Sequence, residues 1–227
     1  MQLYIGNKNY SSWSMRPWVL MKQAGIPFEE VMLNFDGFNP GSAFKNAIAK
    51  INPVGKVPVL VDDGLAIWDS LAIAEYLAES FPHKELWPAD TSARARARSI
   101  CAEMHGGFGG IRNHFSMNIE ARLPEVGAKV LREQAGVRAE VDRLIDMWTG
   151  LLKEYGGPLL FGKFSIADAY FAPVATRLIT YGVPVPAEVS GYIERVLALP
   201  GVAEWIQGGL AEKNFLKFEE PYRSSRD

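Results

Sequence analysis

The chain has 227 residues, 24 basic and 26 acidic side chains for a net charge of −2, and 48% hydrophobic content. That balance describes a globular protein of one large or two modest domains, with no basic field for nucleic acid or an anionic membrane as partner. The single Cys101 excludes an intramolecular disulfide framework and fits a reducing cytoplasm, and the opening residues 1–7 have neither the basic nor the apolar region of an export signal; no later apolar run is long enough to span a bilayer.

Residues 3–5, stopped by Gly6-Asn7, predict a first strand. Trp18, Val19 and Met21 give residues 14–24 helical spacing, with Pro17 tolerated in the first turn and Gly25 closing the helix. Residues 28–33 alternate as a second strand, and Phe44, Ile48 and Ile51 give 40–50 helical spacing. Residues 57–61 and 65–68, joined by Asp62-Asp63-Gly64, predict a hairpin, and residues 70–80 a helix. The predicted order βαβαββα is that of a thioredoxin-like domain.

Residues 81–88 carry Pro82 and Pro88 and break the periodicity, which places a linker at 81–91 between a domain of residues 1–80 and an all-helical domain of residues 92–227. Helical punctuation falls at Gly156-Gly157-Pro158, at 182–186 and at Leu199-Pro200-Gly201. Gly106-Gly107-Phe108-Gly109-Gly110 predicts a break between helices in preference to an opened cavity; with no strand before it, it is not a dinucleotide loop. Ser165-Ile166-Ala167-Asp168 matches a capping box at the start of an apolar helix.

Two features point to chemistry. Pro58 cannot donate to a strand ladder and is a natural place for a cis bond, which turns the Val57 backbone outward. Asp69-Ser70 stands where a helix begins, and free N–H groups at a helix start suit a carboxylate. Together they describe a holder for a small peptide.

These residues, with Ser11-Ser12 upstream and the Ser165–Asp168 box downstream, resemble the glutathione transferases over most of the chain. Ser11-Ser12-Trp13-Ser14-Met15-Arg16 is similar to the Ser-Ser-Cys-x-x-Arg stretch of the zeta class, with Trp13 in place of the cysteine. The resemblance implies an α/β plus all-α fold, an N-terminal thioredoxin-like domain followed by an all-helical C-terminal domain. It implies glutathione as co-substrate, held by the Val57 backbone and by Asp69 and Ser70 at its γ-glutamyl end; Lys56 is placed either to pair with a glutathione carboxylate or to stay solvated. Ser11, with Ser12 beside it, would stabilise the thiolate, and an apolar electrophile would enter from the helical domain, with Phe108, Phe115, Phe215 and Phe218 as candidate walls. It also implies a cytoplasmic homodimer working in detoxification.

A cysteine thiol has a pKa of about 8.5, so lowering it by about two units takes roughly 2.7 kcal/mol, within reach of one hydroxyl hydrogen bond to the anion plus a nearby helix N-terminus. Tyr10 is the rival donor, and a thiol mechanism of the protein's own is excluded because this loop has no cysteine. Maleylacetoacetate isomerisation, the task of zeta relatives, uses an arginine on the capped helix; the Ser165 alignment puts Thr180 there, with Arg177 one turn earlier. A non-catalytic interaction module of the same fold is a further alternative, separated from both enzymes by glutathione binding. His105 and His114 cannot share a face of one continuous helix, so no metal site is expected, Arg94, Arg96 and Arg98 splay around a solvated surface, and Cys101 reads as a small buried hydrophobe.

Overall fold

The computed structural model describes residues 1–226. Strand β1 (Gln2–Ile5) leads through α1 (Ser12–Gln23), β2 (Glu29–Met32), α2 (Ala43–Ile48), β3 (Val59–Asp62) and β4 (Leu65–Ile67) to α3 (Ser70–Ser80). The sheet order is β2-β1-β3-β4, with β1 parallel to β2 and antiparallel to β3, and β3 antiparallel to β4. The parallel pair needs a crossover, which α1 supplies; the antiparallel pair needs only the tight turn at Asp63 (φ 47°) and Gly64 (φ 83°). Alternate residues Leu3 and Ile5 are fully buried beneath α1 and α3. Helix α2 is shorter than its apolar spacing suggests, because Asp36 accepts the amides of Ala43 and Phe44 at 2.8 and 3.0 Å and Ser42 accepts that of Lys45 at 3.2 Å. Those side chains take the place of a preceding helical turn.

A 3-10 turn at Pro82–Lys84 precedes α4 (Thr91–Gly106), α5 (Gly109–His114), α6 (Pro124–Glu133), α7 (Ala135–Tyr155), α8 (Ile166–Thr180), α9 (Ala187–Leu197) and α10 (Pro200–Glu212), and a last 3-10 turn spans Lys217–Glu219. The glycine cluster does separate two helices. Phe108 between them is left-handed (φ 53°), and a Cβ on Gly107 would stand 2.7 Å from the Glu103 carbonyl. The capping box forms: Asp168 accepts the Ser165 amide at 3.0 Å with one oxygen, and with the other the Leu160 amide and the Tyr192 hydroxyl, each at 3.2 Å. Arg94, Arg96 and Arg98 take three separate sets of partners, the Pro88 and Ala89 carbonyls, Glu154 and Glu75. Cys101 is fully buried, and desolvation raises its thiol pKa, so it is not a nucleophile.

Helix α1 packs against α3 and against α8 and α10. The Ser11-Ser12 end of α1 therefore lies where the sheet-bearing residues meet the helical ones.

Candidate functional site

A cavity of about 660 Å³ is lined by Trp13, Lys56, Val57, Asp69, Ser70 and His105, among others. The Val57–Pro58 peptide is cis, and Val57 lies outside β3 with no partner for its backbone among the described residues. Asn52 shapes the preceding turn by accepting the Val54 and Gly55 amides at 2.7 and 3.0 Å and donating to the Lys56 carbonyl at 2.8 Å. Gly55 sits there at φ 63°, which favours glycine, and Lys56 is exposed at the rim.

Asp69 is the N-cap of α3, where one carboxylate oxygen accepts the amides of Leu71 and Ala72 at 3.0 and 3.4 Å. Its other oxygen is 2.9 Å from His105 Nε2, His105 Nδ1 is 2.9 Å from the Tyr170 hydroxyl, and that hydroxyl is 3.0 Å from Ser70 Oγ. Residues from α3, α4 and α8 thus close one polar chain. The Ser70 hydroxyl is buried and already partnered; what Ser70 adds to the cavity is the first residue of a helix. Arg16 lies behind this chain with its guanidinium 4.2 Å from both the Trp13 and Tyr170 rings, and its Nε and Nη1 have no hydrogen-bond partner. Burial lowers its pKa.

A second cavity of about 440 Å³ shares Trp13, Lys56 and Val57 with the first and is lined by Ser11 and Ser12. Ser11 stands at the N-cap of α1 but makes no cap bond; it donates to Ser14 Oγ at 2.7 Å, which also accepts the Gly6 amide at 3.2 Å. Ser12 Oγ accepts from Arg177 Nη2 at 2.8 Å, and Arg177 Nη1 donates to the Phe115 carbonyl. Burial and the nearby Arg16 charge both lower the Arg177 pKa. Thr180, at the position aligned with the zeta arginine, donates instead to the Asn118 carbonyl at 2.7 Å.

Tyr10 also reaches this cavity, but its hydroxyl donates to Glu220 at 2.7 Å, lies 3.0 Å from the Asn214 carbonyl and accepts the Leu216 amide at 3.3 Å. Burial and Glu220 push its pKa up to about 12. Tyr10 fastens the C-terminal segment. The aromatic wall differs from the expected one: Phe35, Phe38 and Phe44 line the cavity, while Phe108 and Phe115 are buried in the core, the latter stacked on Tyr181 at 4.7 Å. Phe218 meets Phe38 edge-on at 5.4 Å, and Phe215 lies under Arg223. The sequence reading also missed His105, Tyr170 and Glu219 as members of the two cavities' surroundings.

With this geometry the chain divides as its relatives do. It belongs to the glutathione S-transferase family, matching the family's N-terminal domain over residues 10–80 and its C-terminal domain over residues 94–208. It is 23% identical over 224 residues to a stringent starvation protein A homolog of Haemophilus ducreyi, covering 97% of this chain and 95% of that one. It is 28% identical over 199 residues to the maleylacetoacetate isomerase of Pseudomonas aeruginosa, covering 82% and 85%. Among solved structures, a Burkholderia glutathione transferase homolog with bound glutathione superposes with a TM-score of 0.69 at 28% identity, over 92% of this chain and 98% of that one.

Proposed function

We propose that this protein is a glutathione S-transferase that conjugates glutathione to electrophilic small molecules through a serine-stabilised thiolate. The observation that carries the reading is the meeting of two cavities at Trp13, Lys56 and Val57, one bearing Asp69-Ser70 and the other Ser11-Ser12. In this reading the cysteinyl backbone of glutathione pairs with Val57 as a short strand would, the γ-glutamyl end meets Asp69 and the start of α3, and Lys56 closes over a carboxylate. The sulfur then points past Trp13 into the second cavity, whose phenylalanines receive an apolar electrophile.

Of the two serines, Ser12 is the better donor to the sulfur anion. Arg177 occupies a lone pair of Ser12 and leaves its proton free, whereas the Ser11 proton is directed at Ser14. Ser11 then holds the loop that presents Ser12. The division of labour gives residues 1–80 the peptide, residues 92–227 the arginine behind Ser12, and residues 81–91 the link between them. Work as a cytoplasmic homodimer in detoxification is part of the same reading, on family analogy; no helix among the described residues is long and apolar enough to cross a membrane.

Isomerisation of a maleylacetoacetate-like substrate is the second reading. Arg177 favours it, since its side chain lines the cavity one turn from the aligned position. Calorimetric titration with glutathione, followed by conjugation and isomerase assays and by light scattering, tests the whole: micromolar-to-millimolar glutathione affinity is expected, and no binding would leave the interaction-module reading standing instead.

A further inference from the structure

Among the described residues lining the second cavity, Glu219 is the only acidic one. Its neighbour Glu220 is pinned: it accepts from Tyr10 at 2.7 Å and from Asn118 at 2.9 Å, and pairs with Arg223 at 2.6 Å. Glu219 follows the opposite course, with no side-chain hydrogen bond or ion pair to any described residue. One carboxylate thus fixes the C-terminal segment across the cavity while the other is presented into it. Burial and the Glu220 charge push the Glu219 pKa up to about 7 against the lowering effect of Arg177. A carboxylic acid that holds its proton near neutrality thus lines the same cavity as Ser12.

We propose that Glu219 donates a proton to the carbanion formed when the glutathione thiolate adds to an activated carbon–carbon double bond. The proposal rests on the transferase reading. The sulfur lone pair forms the C–S bond at the β-carbon, and the π pair of the double bond moves into an enolate. The O–H bond of Glu219 then breaks, and its proton passes to the α-carbon. The resulting carboxylate is reprotonated from water, into which the glutathione thiol had released its own proton on ionising; no redox partner or leaving group is needed. Without a donor, the enolate expels the thiolate again and returns an alkene that has had time to rotate. Glu219 therefore sets the balance between conjugation and isomerisation in one cavity.

The charged and titratable groups that face this carboxyl are Arg177 of α8, Arg112 of α5, Lys45 of α2, Lys56 before β3, Tyr10 before α1 and Glu220 beside it. Arg177, lowered to about 9 by burial, and Tyr10, pushed up to about 12, both titrate above Glu219 at about 7.

The test compares kcat/KM for benzylideneacetone, a conjugate acceptor that must be protonated, with that for chlorodinitrobenzene, where chloride leaves and no proton is needed. Their ratio cancels the thiol's own titration. In the wild-type protein the ratio should fall as pH rises through about 7, and in Glu219→Gln it should be at least about tenfold lower at pH 6 and flat with pH. A ratio unchanged by the substitution, or flat in the wild type, overturns the assignment. The wild-type profile decides the matter even if the variant does not fold. Calorimetry separates the two levels: a wild-type protein that binds no glutathione overturns the transferase reading itself, whereas intact binding with an unmoved ratio overturns Glu219 alone.

Discussion

Replacing Ser12 by alanine removes, of the two α1 serine hydroxyls that line the cavity, the one whose proton is uncommitted, while the proposed peptide-holding contacts at Val57 and Asp69 are untouched. A hydrogen bond to a charged partner is worth about 1.5–3 kcal/mol, or roughly one to two pKa units of the bound thiol. If the site depresses that thiol by about two units to about 6.5, the variant's bound thiol titrates between about 7.5 and 8.5, and the thiolate fraction at pH 7 falls from roughly three-quarters to about 3–25%. Conjugation at neutral pH should drop about three- to twenty-five-fold while glutathione affinity is nearly kept. Thiolate absorbance of the bound peptide against pH reads the shift directly. Ser11→Ala, whose hydroxyl donates to Ser14 at 2.7 Å, and Tyr10→Phe, whose hydroxyl is held by Glu220, should both shift it less. A large shift in Ser11→Ala with none in Ser12→Ala would return the role to Ser11 and refute the argument from proton direction.

Asp69→Asn should weaken glutathione binding by about 1.5–3 kcal/mol, roughly ten- to a hundredfold in calorimetric Kd, because it removes a charge 2.9 Å from His105 that also caps α3; an unchanged Kd would remove Asp69 from the site. Asp168→Asn should cost about 2–4 kcal/mol in urea unfolding, since an amide cannot accept at both oxygens from Ser165, Leu160 and Tyr192; a loss under about 0.5 kcal/mol would show the box to be dispensable. The raised pKa of Glu219 fixes the sign of a stability change with pH. The native state holds that proton more tightly than the unfolded chain, whose glutamate titrates near 4.3, so the contribution is full below about 4.3 and is lost as pH rises through about 7. Glu219→Gln should flatten the urea midpoint across that window, and an identical pH profile in the variant would place the proton elsewhere.

Local signals made the geometry of the proposed peptide-holding half of the site legible. The cis Val57-Pro58 bond and the helix start at Asp69-Ser70 depend on residues close in sequence, and α3 spans the residues its apolar spacing predicts. The proposed thiol-activating half was legible only to the level of a serine pair. Which serine has a free proton depends on Arg177, 165 positions away on α8, and no periodicity reports a contact of that kind. His105 was read only against His114 on a supposed continuous helix; the break at Gly107 and Phe108 ends that helix, and the packing of α4 on α8 gives His105 its partners. The aromatic wall was sought in the helical domain because relatives open their pockets there. Here Phe35, Phe38 and Phe44 belong to the segment between β2 and β3, which Gly37 and Gly41 bend at positive φ so that the rings cluster edge-on at 4.9 to 5.9 Å.

The three arginines around the serine end of α1 differ in how their charge is met. None has a carboxylate within 4 Å among the described residues. Arg112 donates to the Met104 and Gly107 carbonyls and so closes the frayed end of α4, which is a structural use of the charge. Arg177 spends one nitrogen on the Phe115 carbonyl and the other on Ser12. Arg16 lies against two aromatic faces, each of which attracts a desolvated cation by about 2 kcal/mol or more, while its Nε and Nη1 have no acceptor. Burying a cation costs several kcal/mol, an amount comparable with what those faces return, and a hydrophobic side chain of similar volume would serve the empty protein about as well. Such a charge is consistent with a fold whose working state contains an anion: with a thiolate and glutathione carboxylates in the adjoining cavities, the same unpaired field that weakens the empty protein lowers the energy of the complex.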